Sequence, residues 1–212
     1  IAIANTSGSV YTARLSVTEC TFRGFKYGIY MPGYCDGNIF SDLKFEVVSR
    51  CIYLEKGDGS IIQNIVAEPF IDYIVYSYQS MGLTINGEIG RGIASDVANN
   101  PYTAFIFSGN GTIYNNPISV AVLASVKNVT FDDIFLSTPS SQQMNHTFML
   151  LNNAGLQPIN CTFKNIFISR GVGISSGKYD LYTGGNTNTT ITIDTDISFV
   201  SGYSTPDNTS VI

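Results

Sequence analysis

Residues 38–55 read NIFSDLKFEVVSRCIYLE, and the stretches on either side repeat it. Upstream, 15–31 read LSVTECTFRGFKYGIYM; downstream, 60–76 read SIIQNIVAEPFIDYIVY. Apolar residues align across the three: Val17, Phe40 and Ile62; Cys20, Leu43 and Ile65; Phe22, Phe45 and Ala67. Phe25, Val48 and Phe70 follow, then Ile29, Ile52 and Ile74, at offsets of 23 and 22. A repeat of this period marks a solenoid, in which a unit too small to bury its own apolar face stacks on the next.

The densest motif is FSDLKF at 40–45 and IQNIVA at 62–67, returning as FDDIFL at 131–136 and FKNIFI at 163–168. Alternation in LKF, IVA, IFL and IFI puts every second side chain on one face of a strand. No amphipathic helix separates the copies. The expected fold is all-β, a right-handed parallel β-helix whose coils have the length of that offset, as one unit over 1–212. Regular coils are expected over about 12–92, a loop insertion over about 90–104 and further coils over about 105–200, with a tail at 201–212. Ile85 keeps the beat, 23 after Ile62, and GRGIASDVANNPYTA then interrupts it. A second insertion, STPSSQQMNH, widens the interval between Phe131 and Phe163 beyond one regular coil. Loops on a rigid scaffold are common binding elements. The chain opens mid-pattern on IAIANTSG and is expected to be a piece of something longer.

Charged residues are 13% of the chain and the net charge is −5, with no basic run, so no nucleic-acid partner is expected. No apolar stretch reaches the length of a membrane helix, so no insertion by one is expected. Cys20, Cys35, Cys51 and Cys161 lack metal-ligand spacing and there is one histidine, His146, so neither a metal nor another cofactor is expected. Cys20 stands where Leu43 does and reads as a small core hydrophobe; free thiols would suit a reducing cytosol. Asn-x-Ser/Thr sequons begin at Asn5, Asn110, Asn128, Asn145, Asn160, Asn188 and Asn208. They read either as glycan acceptors of a secreted protein or as turn asparagines leading into strands.

The repeat also aligns side chains that could carry chemistry. After the inward Phe22, Phe45 and Ala67 come Arg23, Glu46 and Glu68, and Arg91 follows at the same offset. Stacking would bring Glu46 and Glu68 about 5 Å apart at the backbone, a separation of the kind retaining glycosidases use for a carboxylate pair. On that reading one glutamate is the acid and the other the nucleophile, and Arg23 and Arg91 hold an acidic sugar. The plainer reading of the same residues is an exposed ion-pair ladder that suppresses edge pairing and keeps the shaft soluble. Asp42, Asn64, Asp133 and Asn165 share one position and suit a tight bend. Asp132 aligns with Lys164, and Arg50 with Asp72, and both are expected to pair. Tyr30 and Tyr53 align on the outer face as a sugar platform or a subunit contact, and Tyr102 and Tyr114 flank the long insertion.

The phrase NVTFDDIFLS, echoed by NCTFKNIFIS, resembles the coil motif of β-helical bacteriophage tailspikes and appendages, over most of residues 12–170. The resemblance lies in a structural motif. It implies a homotrimer on the virion, made in the host cytoplasm, that binds and often depolymerises a bacterial surface polysaccharide. Pectate lyases, polygalacturonases and autotransported adhesins have similar coils, but the polygalacturonase signatures NTD, GHG and RIK are missing. The rival readings are a secreted monomeric polysaccharide lyase or hydrolase and a non-catalytic shaft or adhesin.

Overall fold

The computed structural model describes residues 2–4, 13–88, 103–108, 119–124, 127–137, 148–151, 160–170, 181–182, 191–193 and 198–201. Among them there is no helix. The strands are β1 (Ile3–Ala4), β2 (Ser16–Thr18), β3 (Thr21–Arg23), β4 (Tyr27–Met31), β5 (Ile39–Glu55), β6 (Ile61–Tyr78), β7 (Thr84–Glu88) and β8 (Thr103–Ser108). They continue with β9 (Ser119–Ala124), β10 (Thr130–Ser137), β11 (Phe148–Leu151), β12 (Cys161–Arg170), β13 (Leu181–Tyr182), β14 (Ile191–Ile193) and β15 (Ser198–Ser201). Their pairings are parallel, so the chain is a parallel β-helix, as its repeat requires.

Strands of 17 and 18 residues, β5 and β6, would be too long for a coil if they ran straight. They turn corners at residues in the left-handed backbone region, and each corner recurs from coil to coil. Arg14, Gly37, Gly59, Gly82, Asn128 and Asn160 form one such column, with φ between +54° and +67°. Their order is set by backbone bonds such as Gly37 N–H to Asp58 O (2.7 Å) and Gly59 N–H to Met81 O (2.8 Å). Glu19, Asp42, Asn64 and Asn165 form a second, and Gly24 and Val47 a third. Glycine and asparagine reach this region at least strain, which is why a recurring Asx fills the second corner. Its side chains also bond along the stack, Asn64 Nδ2 donating to Asp42 Oδ1 at 2.9 Å. Because successive coils bend at the same place, pairing continues through the bend.

The register confirms the repeat over most of its length and corrects it at one point. Phe40 pairs with Ile62, Phe45 with Ala67 and Val48 with Phe70, as the repeat offset demands. Ile62 then pairs with Ile85, and Phe131 with Phe163. Between Val48 and Arg50, however, β6 gains one residue, so Arg50 stands opposite Tyr73 rather than Asp72, and Ile52 opposite Val75 rather than Ile74. The extra residue is a β-bulge, which one strand absorbs without breaking the ladder on either side. It falls just after Pro69, which has no N–H to give to a ladder.

Inward columns form one continuous core. Phe40, Phe45, Phe131 and Phe163 are fully buried, as are Leu43, Ile52, Ile62 and Ile85. Phe22 stacks on Phe45 with centroids 4.9 Å apart, and Phe131 on Phe163 at 5.6 Å. Gly28 makes room for this: a Cβ there would lie 2.4 Å from a ring carbon of Phe45. The buried Asn38 is satisfied, its side-chain oxygen accepting from Leu15 N–H at 2.9 Å. All four cysteines are unpaired. Cys20 packs half-buried against the core as expected, and burial pushes the Cys35 and Cys161 thiols up to about 12.

Candidate functional site

Two outer features gather the residues that the sequence singled out. The first is the charged ladder. Arg23 pairs in register with Glu46, and Glu46 with Glu68, so the three occupy successive rungs. Arg91, Tyr102, Tyr114 and His146 lie outside the described residues. Arg23 Nε sits 3.5 Å from Glu46 Oε2 but is itself 78% exposed. The closer partner is Lys44, whose Nζ lies 2.6 Å from Oε1. Sequence reasoning passed over Lys44, although alternation puts residues two apart on the same face.

Lys44 is the main influence on the Glu46 pKa. Its hydrogen bond and positive charge, with a smaller contribution from Arg23, hold the Glu46 carboxyl below its ordinary value. Glu46 is a carboxylate at neutral pH, as an ordinary glutamate is, and Lys44 keeps it so to lower pH. That state suits a base, a nucleophile or an ion-pair partner, while a general acid needs its pKa raised. Asp132 is held in its own ladder: Lys164 Nζ meets its Oδ2 at 2.7 Å, and Asn165 Nδ2 donates to its Oδ1 at 3.2 Å.

The second feature is aromatic. Tyr30 pairs with Tyr53, and the bulge in β6 brings Tyr76 onto the next rung. Ring centroids are 5.0 Å apart for Tyr30 and Tyr53 and 5.3 Å for Tyr53 and Tyr76, the latter pair only 2° from parallel. Beside this column run Tyr27, Arg50 and Tyr73. The Arg50 guanidinium lies 5.1 Å from the centroid of the Tyr27 ring and donates to the Tyr27 hydroxyl. Tyr73 reaches Tyr76 at 5.4 Å. Tyr73 and Tyr76 are buried, while Tyr27, Tyr30 and Tyr53 stay partly exposed. Burial, with the charge of Glu55, pushes the Tyr53 phenol upward, so it remains protonated.

Sequence reasoning found Tyr30 and Tyr53 but not Tyr27, Tyr73 or Tyr76. Carried forward unchanged, the repeat offset puts Tyr53 against Val75; only the bulge restores Tyr76. Comparisons with protein-family models, curated proteins and solved structures find no match for this chain.

Proposed function

We propose that the chain is a polysaccharide-recognising β-helix of the bacteriophage tailspike kind, homotrimeric and virion-borne, which binds a bacterial surface glycan. The observation that carries this reading is the cluster of partly exposed tyrosines Tyr27, Tyr30 and Tyr53, backed by Tyr73 and Tyr76, with Arg50 set among them. Aromatic rings give apolar contact to the C–H faces of a sugar, and phenol and guanidinium groups bond its hydroxyls. A rigid stack of coils holds such groups at a fixed spacing, which limits the ordering that binding requires. Depolymerisation is assigned to Glu46 and Glu68, with Glu46 as the ionised partner.

The test is a panel of purified capsular and O-antigen polysaccharides, measured for binding and for loss of chain length. Saturable binding to a member of the panel is the expected result, and no binding to any sinks the reading. Cleavage that Glu46→Gln or Glu68→Gln abolishes, with folding intact, supports the enzyme. Binding without cleavage leaves a receptor-binding shaft. Light scattering then distinguishes a trimer, at three times the 23.0 kDa of one chain, from the monomer of a secreted enzyme.

A further inference from the structure

A column of stacked rings cannot offer all of its faces. Tyr53 has Tyr30 on one side and Tyr76 on the other, at 5.0 and 5.3 Å, so neither of its faces is open to a sugar. Tyr76 is buried, 3% exposed, and is withdrawn as well. Tyr30 differs, because β4 lies between β5 and β1. On the side away from Tyr53 its register neighbour is Ala4, an exposed residue. An alanine methyl extends no further than the base of a tyrosine side chain one rung away, at a strand spacing of about 4.8 Å. Among the described residues, this neighbour leaves the outer part of that ring face uncovered. Tyr27 adjoins it with a centroid 5.0 Å away and a tilt of 59°, so the two rings meet as a corner. Its hydroxyl is fixed by the bond from Arg50.

We infer that the face of Tyr30 turned away from Tyr53, above Ala4 and beside Tyr27, is the stacking subsite for one pyranose ring of the glycan. This rests on the glycan-binding reading and locates it. The sugar lies flat on Tyr30, its C–H groups against the ring, with its edge toward the Tyr27 hydroxyl and Arg50. The remaining tyrosines support the platform from behind and do not touch the ligand with their faces.

Ala4→Phe tests this without removing a contact from the fold. A phenylalanine there adds one more ring to the column and fills the subsite. The ligand is the polysaccharide of the panel above that the wild-type protein binds. Ala4→Phe is expected to weaken its binding at least about tenfold, or about 1.4 kcal/mol, with thermal stability unchanged or raised. Tyr30→Ser is expected to lose binding similarly, while Tyr30→Phe, which keeps the ring face, retains it. Wild-type binding that survives both Ala4→Phe and Tyr30→Ser overturns the subsite and leaves the glycan-binding reading standing. Absence of wild-type binding to the whole panel overturns both.

Discussion

Val47 occupies the left-handed region, at φ +54°, and is 56% exposed. A β-branched residue is poorly suited to that conformation, which costs an L-residue about 1–2 kcal/mol. The previous coil has Gly24 at the same corner, at φ +71° with open space around it. Val47 is held there because Glu46 and Val48 on either side are locked into the ladder with Glu68 and Phe70. Val47→Gly should therefore raise stability despite the greater freedom glycine gives the unfolded chain. The expected gain is about 0.5–1 kcal/mol, read as a higher urea midpoint at unchanged slope. A lower midpoint would show that the valine side chain contributes a contact that outweighs the strain. Of the charged candidates at this scale, Arg23, Glu46 and Glu68 were legible because their spacing equals the coil length. Lys44, the stronger influence on Glu46, was not, because it belongs to no repeated column of charge.

Strand β6 shows what an element adds to its residues. Its one-residue bulge after Pro69 shifts everything that follows relative to β5. The shift separates Arg50 from Asp72 in the register and extends the tyrosine column from two rings to three. Each aromatic pair contributes about 0.5–1.5 kcal/mol beyond its buried area, and Tyr53 takes part in two, one tilted and one stacked. Tyr53→Ala should therefore destabilise the protein by about 2 kcal/mol, more than its partial exposure alone would suggest. Urea unfolding checks this. A loss no larger than that of a typical surface substitution, about 0.5 kcal/mol, would mean that the rings are neighbours without mutual support. Bulges are hard to read from sequence. Both Ile74 and Val75 are apolar and either could serve as the inward residue, so the pattern permits both registers.

At the scale of the whole molecule, stability is the sum of coils and of the contacts between neighbours. Arg14, Gly37, Gly59 and Gly82 mark three successive coils of nearly equal length. Deleting residues 37–58 removes one coil and joins Asp36 to Gly59, recreating the Asp58–Gly59 turn. That variant should remain a folded β-helix with cooperative, though weaker, unfolding. Deleting only 37–48 breaks the period and should abolish folding. Circular dichroism with thermal unfolding distinguishes them, and a coil deletion that unfolds the chain would show that the units are not interchangeable. The sequence by itself determined the parallel β-helix, the coil length, the inward columns and the alignment of Arg23, Glu46 and Glu68. Those follow from periodicity, since burial of an apolar face admits few registers. Only the tertiary structure decided which residues turn the corners other than the Asx column, that Lys44 more than Arg23 lowers the Glu46 pKa, and that Tyr76 joins Tyr30 and Tyr53. Corner geometry, side-chain reach and a single inserted residue depend on how one coil seats on the next, and the hydrophobic pattern tolerates more than one such seating.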